Sequence, residues 1–162
     1  MTRDALLDAV LGPLLDPDDD QDARRAAAAA VERLATFLDA RLARKLLNVE
    51  TTPEDMRGQF PTPEQLDQAA DAGTARAGAV LELHGPTAVE MVLRYLGSTG
   101  RAACPLSLAV TAALTVVAWL DDNSRMTTGD EKRFRGGPWV MRSSGAASIL
   151  ASYRRPYVGS GS

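Results

Sequence analysis

A chain of 162 residues with 45% hydrophobic and 24% charged residues has the size and balance of one globular domain able to bury a core. Its net charge of −3 argues against tight nonspecific DNA binding. Its single cysteine, Cys104, excludes an internal disulfide and a cysteine-based zinc site.

Few aromatic residues and abundant alanine lean toward helix. The start, Met-Thr-Arg-Asp-Ala-Leu-Leu, lacks the long apolar run of a signal peptide, and a reducing, intracellular compartment is the simplest expectation. The charge is unevenly spread. The first 22 residues carry Asp4, Asp8, Asp16, Asp18, Asp19, Asp20 and Asp22 against Arg3 alone. From Lys132 onward stand Lys132, Arg133, Arg135, Arg142, Arg154 and Arg155, with no acid. Such polarity marks an interaction surface, or two ends that neutralise each other within one fold.

In chain order, Thr2 can cap a short helix carrying Leu6, Leu7, Val10 and Leu11, which Gly12-Pro13 interrupts. The acidic loop at 16–20 has neither the glycine nor the closing glutamate of a calcium loop. Its aspartates are expected to favour the N-terminus of the next helix. That helix is predicted over 21–47, with Ala27, Val31, Leu34, Leu38 and Leu42 on one stripe. A short strand is expected near 48–52. Residues 53–78, rich in proline, glycine and polar side chains, read as a long surface excursion, with a helical turn or two at 64–72.

Residues 79–83 are apolar around Glu82, and at 87–96 the alternation of Val89, Met91, Leu93 and Tyr95 fits a strand, while Val89, Val92, Leu93 and Leu96 fit a helix equally well. His84-Gly85-Pro86 reads as a turn, as does 97–100. The most apolar run, 105–122, is predicted as a central helix wrapped by the other elements. It is too short to span a membrane. Its polar residues Ser107, Thr111 and Thr115 share one narrow stripe. Two short strands joined by a glycine turn are expected over 132–142, then a short helix at 146–153 and a flexible end at 159–162. The expected fold is mainly α: a small helical bundle around the central helix, with a minor β component near 48–52, 79–95 and 132–142. It forms one domain over 1–158.

Catalytic chemistry is not written into this sequence. His84 is the only histidine, with no nucleophile or carboxylate signalled beside it. No phosphate loop, dinucleotide fingerprint or metal-ligand cluster is present. Cys104, at the start of the central helix, has two readings: a thiolate favoured by a helix N-terminus, or a small capping residue, which is preferred. Trp119 is placed in the core, and Trp139 in the core or as an interface anchor. The expectation is a protein that is not an enzyme and takes no cofactor or metal. A DNA-reading helix-turn-helix is disfavoured, because the basic candidate helix at 33–45 also carries Glu32 and Asp39 and has no clear turn and recognition-helix partner.

The order of these elements resembles the head–tail adaptor (connector) proteins of long-tailed phages, prophages and gene transfer agents. The residues that carry it begin with the acidic loop opening a long helix, with Ala28-Ala29-Ala30-Val31-Glu32 and Phe37-Leu38-Asp39-Ala40-Arg41-Leu42. Next come Val49-Glu50-Thr51, Val80-Leu81-Glu82-Leu83-His84-Gly85-Pro86 and the proline-started central helix. The end is Trp139-Val140-Met141-Arg142-Ser143-Ser144-Gly145, then Leu150 to Arg155. The 53–78 excursion departs from the family's usual size, and the resemblance favours strand at 87–96.

The resemblance implies a structural subunit that forms a homo-oligomeric ring under the portal, extends the DNA channel and docks the stopper or tail-completion protein. DNA would pass through without sequence-specific binding, and no membrane is involved. The expected location is the virion neck, after assembly in the host cytoplasm. It implies portal- or neighbour-binding roles for Arg142, Tyr153, Arg154, Arg155 and Tyr157, and an acidic inter-subunit face at Asp16, Asp18, Asp19 and Asp20. The alternative is a bacterial helical protein-interaction module, a regulator or secretion chaperone.

Overall fold

Helix α1 spans Gln21–Glu50, and its alanine-rich sequence suits so long a run. Four members of the predicted stripe face inward, Ala27, Val31, Leu34 and Leu38 being buried, while Leu42 is only partly covered. The chain was described from a computed structural model, which places residues 8–14, 21–50, 62–124 and 137–154. The fold is mainly α, and none of the described residues lies in a strand. Ahead of α1, residues 8–11 are helical and end in the 3-10 turn Gly12–Leu14, which buries Val10, Leu11 and Leu14.

Helix α2 runs from Pro63 to Ala103 and replaces several expected pieces. Thr62 caps it with a reciprocal pair of bonds: Gln65 N donates to Thr62 Oγ1 at 3.2 Å, and Thr62 N donates to Gln65 Oε1 at 2.9 Å. Pro63 follows in the first turn, where a missing N–H costs nothing. The expected excursion at 53–78 is therefore helical over 63–78, and 53–61 lie outside the described residues. The expected strand at 79–95 is helical throughout, and so are 48–50 and 137–142. Residues 51–52 and 132–136 lie outside the described residues.

The reason at 79–95 is the burial pattern. Val80, Leu81, Ala88, Val89, Val92 and Leu96 are buried at helical spacing, while Met91, Leu93 and Tyr95 are only partly covered. Gly85-Pro86 does not turn the chain. Pro86 sits on the exposed side and Gly85 inward, against Val10 Cγ1. A proline inside a helix costs about 3 kcal/mol, which the packing of this long face offsets. The break comes instead at Gly97, within the predicted 97–100 turn. Its φ of 65° and ψ of 179° are non-helical and open to glycine alone.

Helix α3, Leu106–Asn123, is the central helix, with Pro105 as its N-cap residue. Ala109, Val110, Ala112, Ala113, Leu114, Val116 and Val117 are buried. The Ser107-Thr111-Thr115 stripe lies on the less covered side and satisfies itself. Thr111 Oγ1 donates to the Ser107 carbonyl at 2.7 Å, and Thr115 Oγ1 to the Thr111 carbonyl at 2.8 Å. Short helices α4, Gly137–Ser143, and α5, Ala146–Ile149, follow, with a closing 3-10 turn Ala151–Tyr153. Helices α1, α2 and α3 pack on one another, while α4 rests on α2 and α5 on α3.

A charge cluster ties the three long helices. Arg76 Nη2 donates to both oxygens of Asp121, at 3.0 and 3.1 Å. The Asp121 side chain is 7% exposed. Arg41 Nη1 lies 3.6 Å from Asp121 Oδ2 and also pairs with Asp122.

Helices α1 and α2 approach closely at Gly73. A Cβ there would stand 2.9 Å from Asp39 Cβ and 3.0 Å from Asp39 Cα and N. Backbone contacts of that kind do not yield by rotamer change. Gly73→Ala gains about 1 kcal/mol of helix propensity but forces the helices apart. A net loss of about 1–2 kcal/mol is expected from this overpacking. A thermal melt should show Tm lower by about 3–8 °C; an unchanged or raised Tm would show that the crossing is looser than described.

Candidate functional site

Short helix α4 lies across α2 on its outer side, and a groove of about 340 Å³ opens between them. From α2 come Thr87, Glu90, Met91, Arg94 and Tyr95; from α4 come Gly137, Pro138 and Met141. Helical spacing of 87, 90–91 and 94–95 puts the α2 set on one face. Met141 is buried and, with Met91, Tyr95 and Pro138, makes a floor that is mostly apolar.

The rim is charged. Arg94 Nη2 meets Glu90 Oε1 at 2.6 Å, an i,i+4 pair exposed to solvent. Arg154, which follows the closing turn, lines the other end. Its guanidinium carbon lies 4.9 Å from the centre of the Tyr95 ring. Among the described residues no carboxylate pairs with Arg154. A guanidinium stacked in this way has the fork of donors that suits recognition of a carboxylate.

The end of the chain is pinned to α2 close by. The Tyr153 carbonyl packs against Gly100, where an added Cβ would stand 2.6 Å away. Tyr153 itself is half-buried and packs on the core. Arg142 is exposed on α4, its Nε donating to the Pro138 carbonyl at 3.3 Å. Three residues named from the sequence, Arg142, Tyr153 and Arg154, are thus placed around α2 and α4. Arg155, Tyr157, Asp16, Asp18, Asp19 and Asp20 lie outside the described residues. Sequence reasoning missed Thr87, Glu90, Met91, Arg94 and Tyr95. A strand reading sends alternate residues to opposite faces, whereas the helical register would have gathered them.

The other singled-out residues are structural in their surroundings. His84 is half-buried in mid-helix, not in a turn. Cys104 ends α2, and burial pushes its thiol up from the ordinary value, opposed only in part by the Ala109 backbone N–H. The direction is opposite to the one the alternative thiolate reading requires. Trp119 and Trp139 meet edge to face, with centroids 5.4 Å apart and planes at 82°. A second, shallower hollow of about 240 Å³ lies between α1 and α3, where half-exposed Phe37 meets Thr111, Thr115 and Ala118. Among the described residues, no three or more His, Cys, Asp or Glu side chains are grouped to hold a metal ion, and no helix is long and apolar enough to cross a membrane. No family model, curated protein or solved structure matches this chain.

Proposed function

We propose that the chain is a structural head–tail adaptor subunit of a tailed phage or phage-like particle. It forms a ring under the portal, extends the DNA channel and docks the stopper or tail-completion protein. The support is the order of a long alanine-rich helix, a proline-led central helix and an arginine- and tyrosine-bearing exit. The strand positions that entered the resemblance lend nothing, since the described ones are helical. The observation that carries the reading is the anchored exit. Tyr153 is seated on Gly100 and Arg154 on Tyr95, so the last described residues lie beside the groove. Arginine and tyrosine are the residue types that dominate protein interfaces.

The test is assembly on a portal ring encoded beside this chain. The isolated chain is expected to be monomeric or weakly associating and to form rings only on the portal, as read by native mass spectrometry. Because Tyr153 packs on the core, the informative truncation ends at Tyr153, removing Arg154, Arg155 and Tyr157. The truncated chain should keep its helical signal and lose assembly. Normal assembly would refute the role of the exit. A stable small oligomer in isolation, with no portal binding, would favour a bacterial helical interaction module instead.

A further inference from the structure

Helix α2 breaks at Gly97 and then continues only as far as Ala103. In the stub beyond the break Gly100 alone is buried; Ser98, Thr99, Arg101, Ala102 and Ala103 are exposed. Two contacts from adjacent residues reach opposite ends of the described chain. Gly100 lies against the Tyr153 carbonyl, so near that an added Cβ would stand 2.6 Å from it. Arg101 Nη2 donates to the Pro13 carbonyl at 2.7 Å. The entry turn, Gly12–Leu14, and the closing turn, Ala151–Tyr153, therefore meet on the same stub. We propose that residues 98–103 form a hinged clasp, with Gly97 as the hinge, through which the entry and closing turns open and close together.

The hinge follows from the backbone. Nothing lies within 4 Å of where a Gly97 Cβ would stand, so glycine is needed there for its φ of 65° and ψ of 179°, not for room. A few residues that absorb a change of φ and ψ let the element beyond them swing as a body. The upstream side is fixed: Leu96 is buried, and Tyr95 Oη donates to the Ala147 carbonyl at 3.4 Å. Motion then falls on the stub. Gly100 and Arg101 share one helical turn, so a swing that withdraws one withdraws the other. The closing turn leads into Arg154, stacked on Tyr95 at the end of the groove. A ligand that moves Arg154 is thus felt at Pro13, and coupling of this kind is reciprocal. The clasp stands apart from the adaptor reading; in an adaptor it would carry occupancy of the exit to the entry turn.

Native-state hydrogen exchange of the full chain, resolved by residue, tests it. Leu11 and Leu14 report the entry turn. Tyr153 and Arg154, whose amides donate to the Leu150 carbonyl at 3.0 and 3.3 Å, report the closing turn. Val92 and Val116, both 0% exposed, report the core. Arg101→Ala removes only the tie to Pro13. It is expected to speed exchange at both ends by at least about fivefold, with the core unchanged. Gly100→Ala presses only on the Tyr153 carbonyl and should likewise speed Leu11 and Leu14. Gly97→Ala should open both ends at once. Arg101 is exposed, so its variant keeps the test decisive if either glycine variant fails to fold. Acceleration at the entry turn alone, or at neither end, would overturn the proposal. So would equal acceleration in the core, because the ends would then open only with the whole bundle. No portal enters the experiment, so its failure leaves the adaptor reading where it stood.

Discussion

Ala113→Asp is expected to abolish folding. Ala113 is 0% exposed, in the middle of α3, a helix that packs on both α1 and α2. A carboxylate there has no room to reach water. Among the described residues the nearest comparable acid on this helix, Asp121, is buried only because Arg76 and Arg41 meet it. Burying an unpaired charge costs several kcal/mol even after relaxation, and neutralising it by protonation still leaves an unpaired polar group. Set against a total stability of about 5–15 kcal/mol for a domain of this kind, that loss is enough to unfold it. Loss of the cooperative melt at 222 nm is the expected result. Thr115→Asp is the companion variant. It places the same charge two residues along the same helix but on its partly exposed side, and should cost less than about 1 kcal/mol, as surface changes do. If both variants melted alike, the assignment of the inner face of α3 would be wrong.

That contrast shows why α3 was legible from sequence and α2 was not. The central helix announces itself by an apolar run broken only by Ser107, Thr111 and Thr115 at a spacing of four, and those residues do mark its outward edge. Helix α1 is likewise readable from Ala27, Val31, Leu34 and Leu38. The first half of α2 packs with Ala69, Gly73 and Ala77, which leave no hydrophobic signature. Small residues serve there because the backbones come close: a Cβ added at Gly73 would stand only 2.9 Å from Asp39 Cβ. The capping sequence Thr62-Pro63-Glu64-Gln65 was the available start signal, and Gly85-Pro86 hid the continuity. Helix α4 was read as strand because Trp139, Val140 and Met141 follow two glycines. Of the candidate site, Tyr153 and Arg154 were singled out from charge distribution and residue type. The groove was not, because its α2 wall exists only in the helical register.

The charge cluster is where a second large effect is expected, and it separates two ideas about what buried ion pairs do. Removing one partner is not symmetrical. Arg76→Ala leaves the Asp121 carboxylate, 7% exposed, with only Arg41 at 3.6 Å. Asp121→Ala leaves two arginines whose side chains are 43% exposed and can be hydrated where they stand. Arg76→Ala should therefore cost about 2–3 kcal/mol, near the lower end for broken buried pairs, because Arg41 still faces the carboxylate. Asp121→Ala should cost about 1–2 kcal/mol, and the double variant less than the sum by about 1 kcal/mol or more. The swap Arg76→Met with Asp121→Leu makes the decisive comparison. Apolar residues of similar volume often replace a buried pair without loss. If the cluster serves mainly to select one register among three small-residue helices, the swapped chain should melt near the wild-type temperature. Its near-ultraviolet signal from the Trp119–Trp139 pair should then be weaker, because alternative helix alignments become accessible. A swapped chain that loses as much stability as Arg76→Ala would show that the ions themselves stabilise the bundle. Retention of both the melt and the tryptophan signal would show that apolar packing alone sets the register.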